Sequence, residues 1–590
     1  YLYYTEDPEE YSVPNPLWNA HLNNYDVQDQ FGFTNNFILE WFATNDLRAR
    51  AKFGITKNNS TAEVRLSPQH SDFDEMSETE KGLYTNVQTK KLNFEGDMSV
   101  SYGRLFAGKH MVNAVAGFNF STKENTKNGY KAIGFTEDEF DAPSFTNSYP
   151  AGSKPTYTES KTRAVSFYIN GGYAYDNRYL FDFNYRSDGT SVFGTNNRFR
   201  NTWSVGLGWN IHAEKFMENC DFFQMLKLRG SVGNPGNQNF ASYQAFSTYA
   251  FTHRMSNVFG TGVILEGLGN PDLAWQETIN YSLGSDITMF NNRVNLSLDL
   301  YRKKTDPLVA AITTPSSIGV KSVMMNMGQL KTDGIEVTLK VSPIYRPQER
   351  FVWNISLNGT HAKSKYSKIG NRLQSMNEQN QENLNTTRYY DGGSPTDIWA
   401  VRSAGIDPAT GQDLFIKKDG TYTFAYDKND EVVVGNTEPK LEGVLGTTLY
   451  YKGFSFGCHL RYRLGGQVFN SALYEKVENI NREGINYNQD KRALYDRWNT
   501  PGQEAKFKRI SLFQTTETSS RFVMDENTLC GESFNVGYEF SQPFIKHIGL
   551  STLTVQANMN DIFRVSSVKS ERGIDYPFAR TLSFSISATF

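Results

Sequence analysis

Polar and apolar residues alternate with a period of two over many segments of about 9 to 14 residues, the length a tilted strand needs to cross a bilayer. Along 164–175, Val165, Phe167, Ile169, Tyr173 and Tyr175 share one face, and Ser166, Tyr168, Asn170 and Gly172 share the other. The next run sets Tyr179, Phe181, Phe183 and Tyr185 against Asp182, Asn184 and Arg186, and a third sets Trp203, Val205, Leu207 and Trp209 against Ser204, Gly206, Gly208 and Asn210. A soluble sandwich alternates too, but with strands of about 5 or 6 residues. The longer runs and the asymmetry of the connections point to an all-β, antiparallel transmembrane barrel. Short turns such as Thr44-Asn45-Asp46, Asp176-Asn177-Arg178, Asn291-Asn292-Arg293 and Tyr451-Lys452-Gly453 alternate with much longer loops.

The short turns pair 31–43 with 46–56, 91–104 with 109–121, 163–175 with 179–186, and 202–210 with 226–233. They also pair 275–289 with 293–302, 333–341 with 351–360, 440–451 with 454–465, and 532–540 with 552–562, and 580–590 is the last strand. That gives about 17 strands. Bacterial single-chain barrels have even strand numbers and both termini in the periplasm. An odd count whose first strand descends from outside therefore predicts that residues 1–590 are the C-terminal part of a barrel, beginning in an extracellular loop. The Asn, Gln, Ser and Thr-rich loops, such as 361–395, read as solvated and flexible.

Composition narrows the class further. Hydrophobic residues make up 38% and mean hydropathy is -0.54, with no apolar run long enough for a spanning helix. Aromatics reach 14%, with 33 Tyr and 42 Phe, which suits interfacial girdles. With 60 basic and 63 acidic residues the net charge is -3, so the basic footprint of a nucleic-acid binder is missing. Cys220, Cys458 and Cys530 are too far apart for a metal cluster or a disulfide framework. No secretory leader pattern opens the sequence. No zinc-binding H-E-x-x-H, G-x-S-x-G elbow or phosphate loop occurs, so neither an enzyme nor a cofactor is expected.

Several motifs occur in order from about residue 160 onward. Arg186-Ser187-Asp188-Gly189-Thr190-Ser191-Val192-Phe193-Gly194 precedes Trp203-Ser204-Val205-Gly206-Leu207-Gly208-Trp209. Leu226-Lys227-Leu228-Arg229-Gly230-Ser231-Val232-Gly233-Asn234 runs on to Gln238, and Gly269-Asn270-Pro271-Asp272-Leu273-Ala274-Trp275 and Asp299-Leu300-Tyr301-Arg302-Lys303-Lys304-Thr305 follow. Ala404-Gly405-Ile406-Asp407-Pro408-Ala409-Thr410-Gly411 and Asp575-Tyr576-Pro577-Phe578-Ala579-Arg580-Thr581 complete the series. Together these resemble the SusC-like (SusC/RagA) branch of the TonB-dependent outer-membrane transporters of Bacteroidetes. Val232 departs from the Tyr usual there.

The resemblance implies active import of an oligomeric nutrient, glycan or peptide, powered by TonB-ExbB-ExbD acting on a plug. It also implies a SusD-like surface lipoprotein as a lid and a possible dimer of transporter-lipoprotein pairs in the outer-membrane lipid. No plug domain is visible in the sequence. If the full barrel has about 22 strands, a chain or segment carrying the plug and about five strands is expected as a partner.

The last strand alternates Leu582, Phe584, Ile586 and Ala588 with serines and ends on Phe590, which resembles the signal read by the barrel-assembly machinery. The inward polar set offers candidate contacts to plug or substrate: Asp182, Asn184, Arg186, Asp299, His459, Arg461 and Arg463, with Asn295, Asn354 and Asn358 beside them. A polar lumen needs most of these only for hydration. Tyr389, Tyr390 and Trp399 could stack on sugar rings or sit in an interfacial girdle. Asp188, Gly189, Trp275, Asp407 and Gly411 read as turn and loop geometry. A passive porin is the alternative reading, which would leave the ordered motifs unexplained.

Overall fold

A chain crossing lipid as strands must pair its backbone groups laterally, since no water is present to satisfy them. The computed structural model, describing residues 3–4, 13–14, 16–192, 198–235, 247–257, 260–270, 272–273, 276–314, 316–480, 489–511, 515–540, 542–547, 549–568 and 580–590, solves this with one antiparallel wall.

Seventeen long strands build it: β1 (Tyr25–Phe42), β2 (Leu47–Leu66), β3 (Leu83–Phe106), β4 (His110–Ile133), β5 (Thr156–Tyr175), β6 (Tyr179–Thr190), β7 (Phe199–Asn210), β8 (Phe223–Asn234) and β9 (Thr278–Met289), followed by β10 to β17. The latter are β10 (Val294–Thr305), β11 (Gln329–Arg346), β12 (Phe351–Ser367), β13 (Leu441–Tyr451), β14 (Phe454–Phe469), β15 (Val523–Glu539), β16 (Thr552–Asn560) and β17 (Leu582–Thr589). Each corresponds to one of the strands read from the alternation.

The two faces differ as the pattern requires. Phe167 and Ile169 point outward and are each 53% exposed, whereas Ser166, just before them on the opposite face, is 3% exposed. At the short-turn end, Asp176 and Asn177 both take positive φ (51° and 54°), as a two-residue hairpin twisted with its strands demands. Rings gather along this rim, and cations lie over them: Arg48 over Phe42, Arg104 over Phe106, Arg178 over Tyr175 and Tyr179, and Lys452 over Tyr451.

Inside the wall, glycines let large rings lie flat across neighbouring strands. The Tyr168 ring occupies the space a side chain at Gly117 would need, and Tyr301 does the same at Gly334. The cross-strand registers agree, pairing Gly117 with Tyr168 and Tyr301 with Gly334.

At the other end several strands run past the apolar band. β2 continues to Leu66 and β4 to Ile133, well beyond residues 56 and 121, where the expected strands end. The reason is physical: above the lipid both faces of a hairpin meet water, so the ladder persists while the alternation that betrays it disappears.

The strands follow the cyclic order of a barrel. Antiparallel registers carry the wall in sixteen consecutive steps from β1 to β17. In that closed order β17 stands next to β1. Both seam strands are exposed on both faces, β1 from Asp26 to Phe42 and β17 throughout. With an odd number of antiparallel strands these two run parallel, so their seam differs from the antiparallel ladder of the other steps.

The long connections fold into a cap, and here one expectation is corrected. Segment 361–395 is not a solvated, flexible loop: it contains helix Gln374–Glu382, and Ile369, Leu373, Asn377 and Arg388 are buried. Ile369 and Leu373 pack with Met327 beneath Met376 and Tyr389. The polar composition misleads because its Asn side chains serve the backbone: Asn377 donates to Tyr389 O at 3.0 Å and accepts from Tyr389 N at 2.8 Å.

Beside it, a four-stranded sheet (Asp397–Ile406, Asp413–Ile416, Tyr422–Thr423 and Glu431–Asn436) packs against the connection between β14 and β15. That connection has its own apolar core of Leu473, Val477, Ala493, Phe507 and Phe522. Burying Phe522 and Val477 contributes about 1.5–3 kcal/mol each. A parallel bridge from Val401 to Ser519 ties the two halves of the cap together.

Candidate functional site

The inner wall places the seven sequence-derived candidates at three separate positions. The first is a recess of about 600 Å³ on β3 and β5 to β9, lined by Asn184, Arg186, Tyr168, Asp97, Ser204 and Asn280 among others. Alternation turns these side chains inward, and Gly233, opposite Ser204, leaves the space open.

Arg186 donates through Nε to Asp188 Oδ1 at 2.7 Å and through Nη2 to Ser166 Oγ at 2.9 Å, while Ser166 Oγ donates to Asp188 Oδ1 at 2.6 Å. The guanidinium also lies 6.0 Å from the Tyr168 ring centroid, and Tyr168 Oη donates to Asp97 Oδ2 at 3.1 Å. Asn184 donates to Ser204 Oγ at 3.1 Å. One acceptor, Asn280 Oδ1, is buried with no donor against it. Asp182 stands one row toward the short turns, between Gly172 and Gly206, with both glycines leaving its carboxylate room.

Asp299 belongs to a second position. Arg229 Nη2 donates to Asp299 Oδ2 at 2.7 Å and Arg229 Nε donates to Asp286 Oδ2 at 3.0 Å, with Ser297 Oγ donating to Asp286 Oδ1 at 2.7 Å. The wall thus spans three strands with one fork. Arg229 was missed as a candidate, although Leu228 on the outer face already implies that its neighbour turns inward.

His459, Arg461 and Arg463 line β14 at the third position. His459 Nδ1 shares a 3.1 Å hydrogen bond with Ser533 Oγ, Arg461 pairs with Glu532 at 3.0 Å, and Arg463 reaches Glu526 at 3.5 Å. Every charged member here already has a partner on the wall. Among the described residues, no group of three or more His, Cys, Asp or Glu has the geometry to hold a metal ion.

The motif residues read as loop geometry take up specific packing roles. Asp188 is the buried acceptor just described, and Phe199 lies across Gly189. Asp407 Oδ2 accepts from the Thr410 amide at 2.9 Å and from its hydroxyl at 2.6 Å, which holds its carboxyl below the usual carboxylate range. Gly411 takes φ +69° with the Trp498 indole against its Cα, so a side chain there is excluded twice over. Trp275, Phe193, Gly194, Gln238 and Asp575 to Ala579 lie outside the described residues. Tyr390 and Trp399 pack on each other at 5.2 Å, and Tyr389 packs on Tyr366 at 5.9 Å. Phe590 ends the chain 93% exposed.

The deciding comparison is with protein families: residues 2–499 match the TonB dependent receptor-like, beta-barrel family. The chain belongs to that family. It is 24% identical to TonB-dependent receptor P39 of Formosa agariphila, covering 90% of this chain and 57% of that protein. It is also 24% identical to TonB-dependent receptor SusC of Bacteroides thetaiotaomicron, over 100% of this chain and 58% of that one. This TonB-dependent receptor barrel therefore spans less than two thirds of the curated relatives it matches. Among solved structures it superposes on a chain of the RagAB peptide transporter with a TM-score of 0.84 at 20% identity, covering 97% of this chain and 62% of that one. The fold is shared, and the SusC-like resemblance of the motifs is upheld.

Proposed function

We propose that this chain forms most of the wall of an outer-membrane importer that takes up an oligomeric nutrient, drawing energy from TonB-ExbB-ExbD through a plug. The observation that carries the reading is the wall itself: its outer face is apolar, its inner face is lined by fixed polar groups, and its long-loop end is closed over by a folded cap. A simple open pore has no need of such a cap.

The odd strand number, with β1 and β17 parallel and exposed on both faces, supports a further part of the proposal. Bacterial single-chain barrels are antiparallel with even strand numbers, so a parallel seam is out of place in one. A chain or segment carrying about five strands and the plug would make the strand number even and the pairing antiparallel throughout. The recess around Arg186, with its orphan acceptor at Asn280, would receive a polar contact from that plug. The cap would face a SusD-like surface lipoprotein, in a dimer of transporter-lipoprotein pairs. RagAB is a peptide transporter, and the chemistry of the cap is what would select the oligomer carried here.

Native mass spectrometry of the complex, with sequencing of every polypeptide in it, tests the assembly. Plug-bearing sequence together with a surface lipoprotein is the expected result. These 590 residues alone, as a complete folded pore, would overturn the proposal.

A further inference from the structure

The cap holds a cleft that the wall does not use. The strands around Asp413 and Tyr422 form one side and the chain around Lys508 the other, enclosing about 650 Å³, within the size range of a ligand site. Its floor is rigid and charged. Arg521 Nη2 donates to Asp413 Oδ1 at 2.7 Å and to Glu478 Oε1 at 3.0 Å, and all three side chains are largely buried. Asp413 therefore spends its charge inward.

A second buried guanidinium, Arg497, donates only to main-chain oxygens, those of Ala493, Val477, Glu478 and Lys508. With Lys508 half-buried on the lining, three cations (Arg497, Lys508, Arg521) meet two carboxylates (Asp413, Glu478) in this core. Arg509 adds an exposed cation to the lining, against the single further acid Glu517.

The remaining lining is aromatic and hydroxylic. Phe415 and Tyr426 meet edge to face at 5.5 Å, and Phe424 beside them is 52% exposed, presenting a flat apolar ring at the rim. Thr515 and Gln412 supply neutral polar groups. A cation pair next to one exposed ring and hydroxyl-bearing residues suits a sugar ring that carries a carboxylate: the ring stacks, and the acid meets the cations.

We infer that the cleft between Asp413 and Lys508 is a subsite for a uronic-acid unit of an oligosaccharide, with the carboxylate at Lys508 and Arg509 and the ring face on Phe424. This rests on the import reading and names the chemistry of its cargo. Arg509 and Phe424 are exposed, so their replacement leaves the folded core intact.

The test is equilibrium binding of trigalacturonate to the purified transporter complex, with maltotriose and triglutamate as competitors. Trigalacturonate should bind more tightly at low ionic strength, and Arg509→Ala and Phe424→Ala should each weaken it about tenfold, while neither competitor displaces it. Equal competition by maltotriose, displacement by triglutamate, or unchanged affinity in both variants would overturn the subsite. That failure would leave energised uptake intact, whereas failure of the import reading would show as uptake that no longer needs TonB, whatever the cleft binds.

Discussion

Arg388 Nη2 donates to Glu431 Oε1 at 2.8 Å in the cap, with the side chains 1% and 5% exposed. Arg388 Nε and a second Nη2 contact hold the other oxygen at 3.0 and 2.8 Å. Removing one partner strands a buried charge at a cost of about 3–5 kcal/mol. Arg388→Ala should open the cap to protease between the helix at Gln374–Glu382 and the sheet while leaving the wall folded. A matched apolar pair, Arg388→Met with Glu431→Leu, should restore most of the resistance. Equal resistance in the single variant and the native protein would show that the pair does not organise the cap.

Gly117 and Gly334 should tolerate no side chain. A Cβ at either collides with the ring of Tyr168 or Tyr301, and forcing those rings off their strands costs about 1–3 kcal/mol. Gly117→Ala should lower the urea midpoint of barrel unfolding, and Tyr168→Leu in the same background should recover part of it. A midpoint unmoved by Gly117→Ala would show that the ring has somewhere else to go.

The fork at Arg229 keeps two carboxylates of adjacent strands apart. Its side chain is 35% exposed to the lumen, so solvent screens the loss. Arg229→Ala should cost about 1 kcal/mol, and adding Asp299→Asn should recover part of it by removing one of the two like charges. A double variant weaker than the single one, read by thermal melting, would show the acids are held by something other than this arginine.

Acid should loosen the turn at Asp407. Its carboxyl is depressed below the ordinary 3.8 by the Thr410 contacts, so its contribution is present above that value and is lost as pH falls through the lower, folded-state pKa. Proteolytic nicking between Ile406 and Gly411 should rise below about pH 4 and become independent of pH in Asp407→Asn, which should be nicked at every pH. A native profile flat from neutral pH into that range would contradict this.

How far the sequence reveals the protein depends on which solvent each segment meets. Between lipid and lumen the two faces of a strand have opposite needs, so runs such as 164–175 disclose strand, face and partner together, and all seventeen wall strands are legible. Arg186 and Asn184 are found by the same logic. Above the membrane that constraint ends. The continuation of β4 to Ile133 carries no alternation, and the burial of Arg388 and Glu478 depends on partners 43 residues away in each case, at Glu431 and Arg521. No local pattern encodes such contacts. The cap, which holds the cleft proposed to read the cargo, is therefore the part least visible from the residues alone.

The most direct test of the central claim is uptake of an oligomeric nutrient by cells that depend on this protein, measured with TonB functional and with TonB disabled. The account predicts uptake that is lost when TonB is disabled while the barrel stays in the outer membrane at native abundance. Undiminished uptake without TonB would contradict it and make the protein a passive pore.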